Sequence, residues 1–365
     1  MSVINRHNPS WTFLLPAGSV LVLLAYALLP KMGIIVFFLG LGVVAGVISA
    51  VHHAEVIAHR VGEPFGTLVL ALSVTIIEAA LIISMMLSAP EEAMTLPRDT
   101  IFAAVMIILN GIIGLSLLVG GSRHLVQGFS LEGVTASLGV MTVIIVFALI
   151  LPAHTTSTVK ETYTDSQLMF VAVATIVLFV AFTFFQTMRH RDYFLPVGTD
   201  GALLVSEPHA APPTNQTAFI SLGCLLVSLV AVVLSAKGIS PSIESLLGRY
   251  GAPVATLGII IAAIVLMPEF FAAMRAAQAN RLQTSLNLAI GSAIASIGLT
   301  IPVVVIAALL LDWDLELGLD AKSLVLLVLS LFVVSNSLRT GNTNMLPGIV
   351  HLVIFAAYLF FSFVP

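Results

Sequence analysis

The chain has 365 residues, of which 59% are hydrophobic and 9% charged, with a net charge of −4 and a mean hydropathy of +1.12. A water-soluble globule carries about a quarter charged residues, so this composition excludes one and makes lipid the expected main solvent. The small net charge offers nothing to a polyanion, so no nucleic-acid partner is expected. The single cysteine, Cys224, excludes an intrachain disulfide and a cysteine metal site, and reads as a packing residue in an apolar run.

A membrane-spanning helix needs about 20 mainly apolar residues. Eleven stretches qualify in chain order: 11–29, 33–51, 65–88, 100–120, 134–152, 168–187, 217–236, 252–274, 284–311, 322–338 and 345–364. No small-residue cleavage site follows the first, so it reads as a retained span and not a signal peptide. The connections are short except for 188–216, a polar segment rich in Pro and Gly that reads as a linker between two halves. The basic residues set the expected orientation. With the N-terminus inside, Arg6, Arg60, Arg123, Arg189, Arg191, Arg275, Arg281 and Arg339 lie on the inner side, against six basic residues outside. That places the linker in the cytoplasm and predicts a multi-pass protein of the inner (plasma) membrane with a cytoplasmic N-terminus.

An internal repeat is visible. Gly62, Pro64, Thr67 and Leu68 precede an apolar run that reaches Glu78, and Gly251, Pro253, Thr256 and Leu257 precede one that reaches Glu269. Further on, Thr100 stands to Gly114 and Ser116 as Thr284 stands to Gly298 and Thr300. Two units of five helices follow, and an odd number makes them insert with opposite orientation, the plan of many secondary transporters. The expected fold is therefore an all-α polytopic membrane protein of about eleven spans: an extra N-terminal helix (1–30), a first inverted five-helix repeat (31–187), a cytoplasmic linker (188–216) and a second repeat (217–365).

Glu78 and Glu269 each lie near the middle of a span. A carboxylate at that depth costs several kcal/mol unless it is paired, protonated or bound to a cation. Two such carboxylates at equivalent repeat positions form a hard oxygen site for Ca²⁺ or Na⁺, and the same oxygens hold protons. Competition of protons and cation for one site, opened alternately to either side, is antiport. Ser73 and Thr75, on the turns before Glu78, are candidate hydroxyl ligands, although such residues often bond their own backbone. Pro268 frees the carbonyl of Ile264, which leaves either a simple kink or an unwound turn offering oxygen ligands. Asn110, Asn287, Ser292 and Ser296 are further neutral donors, with close helix packing as the alternative role. His53, Glu55 and His59 form a candidate proton-access group at the inner end of the second span. No His-Glu dipeptide for a zinc-enzyme motif occurs. Glu63 sits where a helix start favours a carboxylate, and His351 lies inside the last span.

The stretches HRVGEPFGTLVLALSVTIIEAALIIS, PEFFAAMRAAQANRLQTSLNLAIGSAIASIGLTIPVVV and RTGNTNMLPGIVHLVIFAAYL resemble the ChaA-type calcium/proton antiporters of the calcium/cation antiporter superfamily. The resemblance runs from about residue 40 to the end. It implies five-plus-five spans with one addition, and one acidic exchange residue per repeat, mapping onto Glu78 and Glu269. The superfamily's Gly-Asn pair before each acid is absent: Val74-Thr75 and Leu266-Met267 stand there. The linker also lacks an acidic run, holding Asp192, Asp200 and Glu207, which keeps Na⁺ and K⁺ beside Ca²⁺ as expected cargo. No covalent cofactor is expected; the partners are inorganic cations, protons and the bilayer. The alternatives are an intramembrane metal-dependent enzyme using His52, His53 and His59, and a cation channel.

Overall fold

The computed structural model describes residues 9–28, 33–62, 65–88, 94–158, 162–198, 212–250, 253 and 255–364. Among the described residues, all eleven apolar stretches are mainly helical. The helices are α1 (Ser10–Leu28), α2 (Gly33–Val61) and α3 (Phe65–Ser88), then α4 (Leu96–His124), α5 (Leu131–His154) and α6 (Asp165–Arg189). After the linker come α7 (Asn215–Tyr250), α8 (Ala255–Val265), α9 (Met267–Gln278), α10 (Leu282–Leu311), α11 (Ala321–Ser337) and α12 (Met345–Phe363). Among the described residues nine helices are long and apolar enough to cross a membrane. The pair α8–α9 forms a tenth such length, bent by 54° at its break, and α11 is a shorter apolar helix. Two-residue strands β1 (Gln127–Gly128) and β2 (Asn342–Thr343) pair antiparallel. The protein is a multi-pass, all-helical membrane protein.

Several helix ends depart from the expected ones. α2 continues past residue 51 to Val61, and along this stretch His53 Nε2 lies 3.1 Å from the Thr12 carbonyl and Arg60 donates to Asn215 Oδ1 at 2.7 Å. It stops at Gly62, whose φ of +75° a side chain tolerates poorly; the Gly62 amide bonds the Ala58 carbonyl at 2.9 Å. Gly66 then sits on that same carbonyl, where a Cβ has no room. Glu63, Pro64, Gly251 and Ala252 lie outside the described residues, as do the middle of the linker (199–211) and Arg6. The linker's start is structured: Arg191–Phe194 forms a 3-10 turn, and Phe194 is buried against Phe182. α4, α5 and α6 each contain a π-helical stretch, at Ile107–Ile112, Val146–Ile150 and Phe185–Arg189, a wide turn that hydropathy does not signal.

The chain divides into two compact units, Met1–Ala93 with Ala210–Leu257, and Met94–His209 with Gly258–Pro365. In the first, hydroxyls stitch α1 to its neighbours. Ser19 donates to the Gly42 carbonyl at 2.9 Å, Ser49 to the Thr12 carbonyl at 3.2 Å, and Tyr26 to the Gly238 carbonyl at 2.9 Å. Ser228 on α7 donates to Ser49 at 3.2 Å. In lipid no hydrophobic force drives helices together, so such bonds and small residues do.

In the second unit α4 packs on α12 and α10 packs on α6. The closeness rests on glycine. A Cβ on Gly114 would stand 2.9 Å from His351 Cβ, and one on Gly348 would stand 2.5 Å from the Leu118 nitrogen. On the other pair, a Cβ on Gly298 would stand 3.2 Å from Phe179 Cβ. Gly114 and Gly298 are the two glycines that correspond in the sequence repeat.

Candidate functional site

Glu78 lies in the middle of α3 with 2% of its surface exposed, among Val74, Ile77, Ile82 and Leu81. α3 is unbroken around it, in keeping with the lack of a proline there. Thr75 is three residues earlier, on the same face. Its hydroxyl is buried and, among the described residues, has no hydrogen-bond partner. Ser73 differs: its hydroxyl donates to the Val69 carbonyl at 2.8 Å, one turn back in its own helix. Thr75 thus offers an unspent oxygen next to the carboxylate, and Ser73 does not.

Glu269 stands at a helix start. α8 ends at Val265, Leu266 caps the next helix with φ −84° and ψ 0°, and Pro268 and Glu269 occupy the first turn of α9. Proline suits that turn, where its missing N–H has no intrahelical acceptor. Negative charge is favoured at the same end, where free backbone amides point outward. Glu269 is half-buried, with Oε2 fully enclosed. α9 packs on α10 and α4. Ser292 (half-buried) and Ser296 (buried) lie four apart on α10 and share a face. A hydroxyl contact joins two of these helices: Ser285 donates to Ser116 at 2.9 Å.

Asn110 and Asn287, both expected as oxygen donors, are engaged elsewhere. Asn110 lies in the π-helical stretch of α4, bonded to Ser330 on α11 at 2.8 Å and to His351 on α12 at 3.0 Å. Asn287 donates to the Phe194 carbonyl at 2.7 Å and accepts from Gln283 at 2.8 Å, pinning the linker's first turn to α10. The partners lie 220, 241 and 93 residues away, so no local pattern announces them.

The structure does not gather His53, Glu55 and His59 on one face. His53 is fully buried and its Nε2 lies 3.1 Å from the Thr12 carbonyl on α1, whereas Glu55 and His59 are exposed. On a helix two residues mean a 200° turn, which sends Glu55 away from His53. His52 packs against Trp11, ring centroids 5.1 Å apart. Among the described residues no group of three His, Cys, Asp or Glu side chains could hold a metal ion.

Three polar residues escaped sequence reasoning. Asp99 is half-buried in the first turn of α4, paired with Arg98 at 2.9 Å. Ser330 completes the Asn110 contact, and Gln127 holds the end of α9, as described below. Asp99 alone carried a legible signal, being an acid directly before the apolar stretch 100–120.

Comparison with known proteins places this architecture. The family model described as sodium/calcium exchanger protein matches residues 31–188 and 220–364. The y4hA protein of Sinorhizobium fredii is 42% identical over the whole chain and 99% of its own length. The sodium-potassium/proton antiporter ChaA of Escherichia coli is 36% identical, over 87% of this chain and 86% of its own. A Ca²⁺/H⁺ antiporter of Aphanothece halophytica is 25% identical over 85% of this chain and 86% of its own. The fold is shared with native YfkE, at a TM-score of 0.73 and 18% identity over 97% of this chain and 100% of that one. It is shared also with the H⁺/Ca²⁺ exchanger CAX, at 0.70 and 14% over 96% and 89%. With its membrane helices and both matched segments, the chain belongs to the sodium/calcium exchanger protein family, whose members are ion transporters and not enzymes.

Proposed function

We propose that this protein is a proton-coupled cation antiporter that exchanges Ca²⁺, or Na⁺ and K⁺, for H⁺ by alternating access at Glu78 and Glu269. The observation that carries the reading is the burial of Glu78 in an unbroken apolar helix, 2% exposed, in a family of ion exchangers. A charge held there is costly unless it is paired, protonated or bound to a cation, and in an ion exchanger a proton and a cation are the exchangeable means. Thr75 adds a neutral oxygen beside Glu78. Ser292 and Ser296, on the helix that packs against α9, are the corresponding donors for Glu269. Protons and cation bind the same oxygens, so each release drives the other's uptake.

The inverted-repeat plan is part of the proposal. It is supported by the two family-model segments, which leave α1 and the linker outside, and by the paired glycine seams at Gly114 and Gly298. The inner bacterial membrane with the N-terminus in the cytoplasm is the expected setting, and there the exposed Glu55 and His59 stand at the proton entrance. As to cargo, the names of the relatives point both ways, sodium and potassium for ChaA of Escherichia coli and calcium for the Aphanothece halophytica antiporter.

The test is proton flux in proteoliposomes with an acid interior, reported by a pH dye while Ca²⁺, Na⁺ or K⁺ is added outside. The expected result is dissipation by at least one of them, lost in Glu78→Gln and in Glu269→Gln. Exchange retained in both variants removes the carboxylates from the mechanism. Current without proton movement turns the reading into a channel.

A further inference from the structure

The helix that bears Glu269 is held from its far end. α9 is twelve residues long, about 18 Å at 1.5 Å per residue. Its N-terminal turn carries the carboxylate and adjoins the 54° break. Its last carbonyls lie beyond the regular helical bonds; the Asn280 amide reaches the Ala277 carbonyl at 3.2 Å, and side chains from the end of α4 and the α4–α5 connection add further donors. Gln127 Nε2 donates to the Ala277 carbonyl at 3.0 Å and to Asn280 Oδ1 at 3.0 Å. His124 Nε2 lies 3.0 Å from the Gln278 carbonyl. Asn280 stands at φ +58°, turning the chain so that its side chain meets Gln127.

Gln127 is itself fixed. It is 1% exposed, paired with Thr343 in the β1–β2 bridge, and its Oε1 occupies the space a side chain on Gly120 would fill. Both amide hydrogens are therefore aimed at the end of α9. The α9–α10 connection is held as well: Gln283 accepts from the Ser130 amide at 2.6 Å and bonds Asn287 at 2.8 Å. α9 is thus a short lever with a joint beside the carboxylate and an anchor at the opposite end.

We propose that Gln127 is a positioning residue for Glu269: its amide anchors the far end of α9 and so sets where the carboxylate stands for cation and proton. The inference rests on the antiport reading. It predicts that loosening the anchor changes the affinity of the exchange site and not only the amount of folded protein.

The experiment compares wild type, Gln127→Ala and His124→Ala in proteoliposomes, normalised to monodisperse protein. It reads the half-saturating cation concentration, the pH profile of exchange and hydrogen–deuterium exchange of residues 267–278. For Gln127→Ala the half-saturating concentration is expected to rise roughly fivefold and the pH profile to move with it. The maximal rate stays within about twofold, and deuterium uptake rises in 267–278. His124 makes one such bond, so His124→Ala is expected to shift the same quantities about half as far; it is the deciding variant if Gln127→Ala does not fold. Unchanged half-saturation and pH profile beside a wild type that exchanges overturn the positioning role alone. A wild type that moves no proton for any cation overturns the antiport reading, and this inference with it.

Discussion

Asn110 and His351 meet in the buried interior of the second unit, Oδ1 to Nδ1 at 3.0 Å, across 241 residues of chain. The bonds around them assign their roles. Ser330 donates its hydroxyl to the Leu326 carbonyl at 2.7 Å, so it accepts from Asn110 Nδ2, whose second hydrogen faces Met106 Sδ at 3.7 Å. Asn110 Oδ1 then faces the imidazole as an acceptor, and His351 Nδ1 carries the proton. The corresponding positions on the other seam, counted from Gly298, are Ile294 and Phe179, both buried and apolar. One seam of the pair is closed by a polar contact and the other by hydrocarbon.

That asymmetry predicts how substitutions combine. Asn110→Ala or His351→Leu leaves a buried partner unsatisfied and is expected to cost about 1–2 kcal/mol, toward the upper end of interhelical bonds measured in membranes. Asn110→Ile combined with His351→Phe, copying the other seam, is expected to cost less than the sum of the singles. Thermal unfolding in detergent checks both; strictly additive losses would show the contact to be energetically idle.

The two hydroxyls before Glu78 are expected to part company. Thr75→Val removes an unspent buried oxygen and should raise the half-saturating cation concentration about tenfold, since a lost ligand to charge is worth roughly 1.5 kcal/mol or more. Ser73→Ala removes a hydroxyl already bonded to Val69 and should leave it within about twofold. Cation titration of proton flux reads both values.

Glycine at the seams predicts intolerance to size. Gly348→Val drives two methyl groups into the Leu118 backbone and Gly298→Val into Phe179. Each is expected to lower stability by about 1–3 kcal/mol and to reduce the yield of monodisperse protein. Gly139→Val is the control, because nothing lies within 4 Å of the place its Cβ would take.

Alkaline stability should report on Tyr163, which lies between α5 and α6. Its hydroxyl donates to the Phe147 carbonyl at 2.9 Å, and burial pushes the phenol up to about 12. An unfolded tyrosine ionises near 10. The folded state therefore holds the proton more tightly: its contribution is complete below about pH 10 and is lost as pH rises through about 12. Tyr163→Phe is expected to melt lower at neutral pH and to show a shallower fall in melting temperature above pH 10. Parallel curves for the two proteins would contradict the assignment.

Helices were legible because each spanning stretch must be apolar for some 20 residues, and nothing else in a lipid-dissolved chain looks like that. The two proposed exchange carboxylates stand out in the sequence for the converse reason, since Glu78 and Glu269 violate that rule. The break before Glu269 was legible in Pro268. What escaped depended on distance. The roles of Asn110, Asn287 and Gln127 are set by His351, Phe194 and Ala277, none of them near in sequence. Proximity in the chain groups His53 with Glu55 and His59, yet helical phase sends it to α1. The π-helical turns insert one residue without changing composition, so periodicity does not reveal them.

The α4–α12 seam has a consequence for the making of the protein. α4 leaves the ribosome with Gly114 and Asn110 uncovered, and their partners Gly348 and His351 are still to be translated. At cellular elongation rates of about 5–20 residues per second the wait is on the order of tens of seconds. Through that interval a helix carrying an unsatisfied amide has to be sheltered, by the insertion machinery or by provisional contacts with helices already delivered. A premature stop before α12 would strand it in that state. Quality-control proteases that survey the membrane should therefore remove such truncated chains, although they already carry Glu78 and Glu269.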